Sequence, residues 1–191
     1  MAKEMRRIGG QPIISATGKE RIQFVLYDTE VYIAGGVQQL RYFQNLAGKT
    51  VFETNLEQPG LLPVGNTFVI REVFVKPISV LPVISGFTIF RDSRPVLNFL
   101  IQNKSKFELP LDMIAGGNDL QILEPATTGI GSSTATNGMG YVNNTWRLKV
   151  PITLTGLQNF TANITFYTPS PIATDTKLRL AFKGILERPQ R

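Results

Sequence analysis

The chain of 191 residues has no cysteine and no histidine. Their absence removes thiolate nucleophiles, imidazole bases, disulfides and the usual zinc and copper ligands together. Any enzyme built on it would have to work with carboxylates, Lys, Tyr or Ser, so the expectation is a protein that is not an enzyme and that uses no cofactor, no metal and no small-molecule substrate. Charge is also scarce: Asp, Glu, Lys and Arg make up 18% of the residues, against about 25% in an average soluble domain. Either neighbouring subunits cover part of the exterior, or neutral Thr and Asn line the outer faces of a β-rich fold. Long apolar runs are missing as well. The uncharged stretch from Pro77 to Phe90 has 14 residues and is interrupted by Pro77, Pro82 and Gly86, whereas a membrane helix needs about 20. The opening residues MAKEMRRIGGQPII are charged and lack the apolar segment of a secretory signal, so no signal peptide is expected.

Helical periodicity is nearly absent too. Gly36 to Ala47 can be written as a helix, but Leu40-Arg41-Tyr42-Phe43 alternates and predicts a strand. Period-two patterns recur elsewhere. Arg21 to Tyr27 is rich in β-branched and aromatic residues, and Val96 to Ile101 is apolar except at Asn98. Thr67 to Val75 sets Phe68, Ile70 and Phe74 on one face against Val69, Arg71, Val73 and Val75 on the other. Asn159 to Thr168 puts Phe160, Ala162, Ile164 and Phe166 on one face, and Thr176 to Leu186 sets Leu178, Leu180, Phe182 and Leu186 against Lys177, Arg179 and Lys183. These last two runs are expected to pair across the turn-rich PSPIATD. Some nine or ten such strands, separated by Gly, Pro, Asn and Asp, predict an all-β sandwich or barrel. The division expected is a basic N-terminal arm over residues 1–15, then one domain over 16–191 with a long exposed loop at 125–140, a stretch of sixteen residues without a charge.

Net charge is +6, and eight of the 20 basic residues lie near the two ends: Lys3, Arg6, Arg7, Lys177, Arg179, Lys183, Arg188 and Arg191. Lys3, Arg6 and Arg7 are therefore candidates to face a membrane or nucleic acid through Coulomb attraction to phosphates. A solvated end explains the same residues without a partner.

Motifs of catalysis fall short. Ala47-Gly48-Lys49-Thr50 matches the end of a phosphate-binding loop, but Phe43 stands where its first glycine belongs, so a turn is expected. Asp28 and Glu30 are two apart, as an acid pair on a strand would be; Asp-Thr-Glu nevertheless reads as a turn between two strands. Asp112 and Asp119 flank Gly116-Gly117-Asn118 without the spacing of a calcium loop, and a turn is expected there too. Trp146, the single tryptophan, is a candidate sugar-stacking or subunit-contact residue, set against ordinary core packing.

Two blocks carry a resemblance. Thr54-Asn55-Leu56-Glu57, Pro59-Gly60, Leu62-Pro63 and the apolar run Phe68-Val69-Ile70 form the first; Gly184, Leu186, Arg188 and Pro189, closing the last strand, form the second. Together, over about 50 residues, they resemble capsid proteins of tailless icosahedral bacteriophages, in several of which the shell encloses a lipid membrane. The resemblance implies a jelly roll of two packed antiparallel sheets, and a structural subunit of the virion, made in the host cytoplasm. Its expected partners are copies of itself, as trimers or pseudo-hexamers, and other capsid proteins, with membrane or packaged genome reached through the basic N-terminus. Pro59 and Pro63, which fix φ and cannot donate to a ladder, are expected to end one strand and redirect the chain into the next sheet. The alternative function is a lectin-like or receptor-binding jelly-roll module using Trp146 and the 125–140 loop.

Overall fold

The computed structural model describes residues 13–14, 18–36, 38–78, 94–115, 120–123, 134–137, 145–169 and 175–189. Eleven strands lie among them: β1 (Ile13–Ile14), β2 (Lys19–Tyr32), β3 (Gln39–Tyr42), β4 (Thr67–Pro77), β5 (Pro95–Ile101), β6 (Lys104–Pro110), β7 (Leu120–Leu123), β8 (Thr134–Asn137), β9 (Trp146–Thr155), β10 (Phe160–Phe166) and β11 (Thr176–Pro189). One short helix, α1 (Leu111–Ala115), follows β6. The fold is all-β, as the alternation predicts.

The strands form a five-stranded sheet in the order β1-β2-β11-β4-β9, a four-stranded sheet in the order β3-β10-β5-β6, and the separate hairpin β7-β8. Every pairing is antiparallel. Four of these pairs are nested in the chain: β2 with β11, β3 with β10, β4 with β9, and β5 with β6. Consecutive strands β2 to β5 alternate between the two sheets, and β9 to β11 alternate back. At the centre of the nest, Gln102 (φ 51°) and Asn103 (φ 62°) both adopt positive φ. That is the two-residue turn whose twist matches that of an antiparallel pair, and it returns β5 into β6.

Period-two burial presses the sheets together. Along β10 the residues Phe160, Ala162, Ile164 and Phe166 are buried and those between them are half-buried. In β11 the buried set includes Leu178, Leu180, Phe182 and Leu186. Aromatic rings meet across the interface: Phe99 of β5 lies 4.8 Å from Phe182 of β11, and Tyr32 of β2 lies 4.6 Å from Phe166 of β10. Each such pair contributes about 0.5–1.5 kcal/mol beyond its buried area.

Several expectations need correction. The runs at 160–166 and 176–189 do not pair with each other: β10 lies between β3 and β5, and β11 between β2 and β4. Their apolar faces meet across the sandwich, and alternation alone does not distinguish that from side-by-side pairing. Asp28-Thr29-Glu30 is not a turn; it lies inside the 14-residue strand β2. Strand β4 does not keep one face throughout. Phe68 and Ile70 point inward, a register shift at Arg71 intervenes, and Val73 and Val75 then take over the inner face while Phe74 lies outside beneath Lys183. The extra residue of a bulge reverses the phase of everything after it. Gly184 sits opposite this shift, where a Cβ would overlap the carbonyl oxygen of Val69. Only glycine lets β11 approach β4 that closely.

Within Gly36 to Ala47 the strand is limited to Gln39–Tyr42, because Phe43 turns out of it with φ 66°. Asp112 belongs to α1 instead of a turn, and Asp119 lies outside the described residues. Part of the expected N-terminal arm is strand, since Ile13 and Ile14 pair with Arg21 and Glu20. Of the expected loop at 125–140, residues 134–137 form β8 against β7, and the others lie outside the described residues.

Candidate functional site

The segment from Phe43 to Asn66 carries the chain from β3 in the four-stranded sheet to β4 in the five-stranded sheet. It contains the first of the two resembling blocks, and its residues have definable structural work. The Leu61 amide donates to the Gln58 carbonyl (3.3 Å) around Pro59 and Gly60. Gly60 has φ 62°, the sign that the third residue of a type II turn requires. Its carbonyl accepts from the Phe160 amide (2.9 Å), and a Cβ there would stand 2.8 Å from the Phe160 carbonyl oxygen. Thus a Pro-Gly turn docks directly on the start of β10. A second turn follows, with the Asn66 amide donating to Pro63 (3.1 Å) and Gly65 at φ 82°.

Thr54 and Asn55 cover the free edge of β2. The Asn55 side chain accepts from the Tyr27 amide (3.0 Å) and donates to the Val25 carbonyl (2.7 Å), and Thr54 Oγ1 donates to the Tyr27 carbonyl (3.2 Å). One carboxamide therefore stands in for the next strand. Such a cover removes the exposed donors and acceptors that let sheet edges pair with other chains.

The second block meets the first here. Leu186, Arg188 and Pro189 of β11 line a cleft of about 370 Å³ together with Asn55, Leu56, Glu57, Leu62 and Pro63. Residues some 120 positions apart thus share one corner of the sandwich, with Leu56, Leu62 and Leu186 buried beneath it. Arg188 donates through Nε to Glu20 Oε2 at 2.6 Å, and this contact raises the guanidinium pKa. Gly184, two residues before Leu186, lies apart at the bulge and is not part of the cleft lining.

A second cluster is polar. Asp28 and Glu30 face the sandwich interior from β2, and Lys49 reaches them from the turn after β3. Its Nζ lies 2.8 Å from Asp28 Oδ1 and 2.6 Å from Glu30 Oε1. Asp28 is fully buried, and its Oδ2 accepts the Phe43 amide at 2.6 Å, holding that residue in its left-handed conformation. Burial pushes the Glu30 carboxyl upward against the opposing pull of Lys49. Tyr42, buried beside them, is raised well above its ordinary range by desolvation and then by the two carboxylates. Its hydroxyl donates to the Leu178 carbonyl (3.3 Å), tying β3 to β11. The two carboxylates are thus bridged by one ammonium instead of facing each other across a substrate cleft.

The remaining candidates fall elsewhere. Lys3, Arg6 and Arg7 lie outside the described residues. Trp146 opens β9 opposite Val73, half-buried and packed on the core. Lys177, Arg179 and Lys183 share the outer face of the five-stranded sheet; Lys177 pairs with Glu53 (2.8 Å), and Arg179 lies over the rings of Tyr27 (5.0 Å) and Phe52 (4.6 Å).

Lys49 is the residue that sequence reasoning missed. The spacing of Asp28 and Glu30 marks a shared face, but no pattern within the chain locates the cation that enters it from position 49. No family model, no curated protein and no solved structure matches this chain.

Proposed function

We propose that this chain is a jelly-roll structural subunit that assembles with copies of itself into the shell of a bacteriophage particle. The observation that carries the fold reading is the nested pairing of β2 with β11, β3 with β10, β4 with β9, and β5 with β6. An antiparallel double layer wound from one long folded ribbon has that order, which supports the jelly-roll reading. The capsid reading rests on the resemblance of two sequence blocks and is supported by their convergence on one corner, where their turns, edge cover and cleft residues serve the architecture instead of a reaction.

The outer faces suggest where copies meet. On the four-stranded sheet, Arg41 and Glu108 stand at the edges, and Val96, Asn98, Leu100, Thr161, Asn163 and Thr165 fill the space between them without a charge. Covering such a face desolvates few charges, which is the main cost of burying polar surface. We assign this face to neighbouring subunits. Electron microscopy of the concentrated purified chain tests the reading: closed shells or regular capsomers are expected, and a dispersed monomer under all assembly conditions contradicts it. A glycan array separates the lectin-like alternative, whose Trp146 packs on the core; specific glycan binding lost on Trp146→Ala favours that alternative.

A further inference from the structure

We propose that Lys49 and Asp28 join in an intramolecular isopeptide bond, with Glu30 as the catalytic proton carrier. The inference is independent of the assembly reading.

Three features of the cluster make the reaction chemically complete. The nucleophile and its target are already together, since Lys49 Nζ lies 2.8 Å from Asp28 Oδ1. A nitrogen at hydrogen-bond distance from a carboxyl oxygen is close to the near-attack separation of about 3–3.5 Å from the carboxyl carbon. The pair is shielded from water, because Asp28 is fully buried and the Lys49 side chain is 12% exposed. Moving the ammonium proton onto the carboxylate replaces two buried charges with an amine and a carboxylic acid. Finally, Glu30 Oε1 stands 2.6 Å from the same nitrogen, where a base must be.

The step balances without any co-reactant. The lone pair of the neutral Lys49 amine attacks Asp28 Cγ and forms the C–N bond. Negative charge develops on Oδ2, which the Phe43 amide faces at 2.6 Å, as a backbone donor stabilises a tetrahedral intermediate. The Glu30 carboxylate takes a proton from the nitrogen and passes it to the departing Oδ1 hydroxyl. The C–O bond breaks, water leaves, and Glu30 is a carboxylate again. Oδ2 remains as the amide oxygen on the Phe43 amide. The product ties β2 of the five-stranded sheet to the turn that follows β3 of the other sheet.

Intact-mass spectrometry of the folded and then denatured full chain reads the bond directly. The expected mass is lower than the sequence mass by one water. Trypsin then yields a branched peptide joining residues 22–41 to 42–71, because cleavage after Lys49 is blocked; no other Lys or Arg lies inside either segment. Glu30→Gln and Lys49→Arg are each expected to restore the full sequence mass and abolish the branched peptide. A wild-type chain at full sequence mass overturns the proposal, as does a water-deficient mass without that peptide. A cross-link that forms unchanged in Glu30→Gln overturns the role of Glu30.

Discussion

The two sheets present the same kind of inner face and opposite kinds of outer face. Inside, β5 and β10 of one sheet and β11 of the other bury alternate aromatic and aliphatic residues. Outside, the five-stranded sheet carries Arg21, Glu72, Lys76, Arg147, Lys177, Arg179, Lys183 and Glu187, several of them joined in pairs such as Arg21–Glu187 (3.0 Å) and Arg147–Glu72 (3.2 Å). On the four-stranded sheet the two central strands have uncharged Thr, Asn, Val and Leu there, and the charges Arg41 and Glu108 stand on the edge strands. Core formation asks the same of both layers and leaves their outer faces free to differ. A charged face remains solvated at little cost, whereas an uncharged one can be covered by another protein surface.

Changes that break the shared inner face should have the largest effects. Phe99→Ala in the four-stranded sheet and Phe182→Ala in the five-stranded sheet are each expected to cost about 3–5 kcal/mol in urea unfolding. Gly184→Ala is expected to cost about 3 kcal/mol, because the new Cβ forces β11 away from β4 at the bulge. Asn55→Ala should be milder, about 2 kcal/mol, by exposing the β2 edge that its carboxamide covers. The same variant is expected to aggregate more readily than the parent, measured by light scattering.

Charge placed on the outer faces sharpens the comparison. Asn163→Lys at the centre of the uncharged face is expected to weaken self-association at least about tenfold, a change of about 1.4 kcal/mol. Lys76→Glu on the other face should leave association within about twofold, or roughly 0.4 kcal/mol. Equal responses from both faces would remove the distinction drawn between them.

The smallest effect is electrostatic. Lys177, and then the Thr50 amide, hold the Glu53 carboxyl down at about 2, against an ordinary value of 4.5. The unfolded chain therefore binds more protons than the folded one between these values. Stability from this contact is full above pH 4.5 and falls as pH drops toward about 2. Lys177→Met should flatten that part of a stability-versus-pH curve. Glu30 has the opposite sign, because burial raises its pKa and stability gains as it becomes protonated.

Alternation made β10 and β11 legible, since the large buried residues of each keep one phase. It did not reveal their partners, because strand order depends on contacts between distant parts of the chain. The interior of β2 is not legible at Asp28 and Glu30: a charged pair looks like a turn until Lys49 is seen to pair with both. In β4 the bulge opposite Gly184 changes phase at one residue, and the two faces inferred for Thr67 to Val75 mix inner and outer positions. The turn at Pro59-Gly60 is recognisable from its residues, but it does not end a strand, since β3 stops at Tyr42, and the corner it shares with Leu186, Arg188 and Pro189 required the fold.

Sedimentation velocity of the purified chain over a range of concentrations tests the central claim most directly. The account predicts large, discrete assemblies that Asn163→Lys disperses and Lys76→Glu preserves. A monomer at every concentration, or assemblies indifferent to Asn163→Lys, would contradict it.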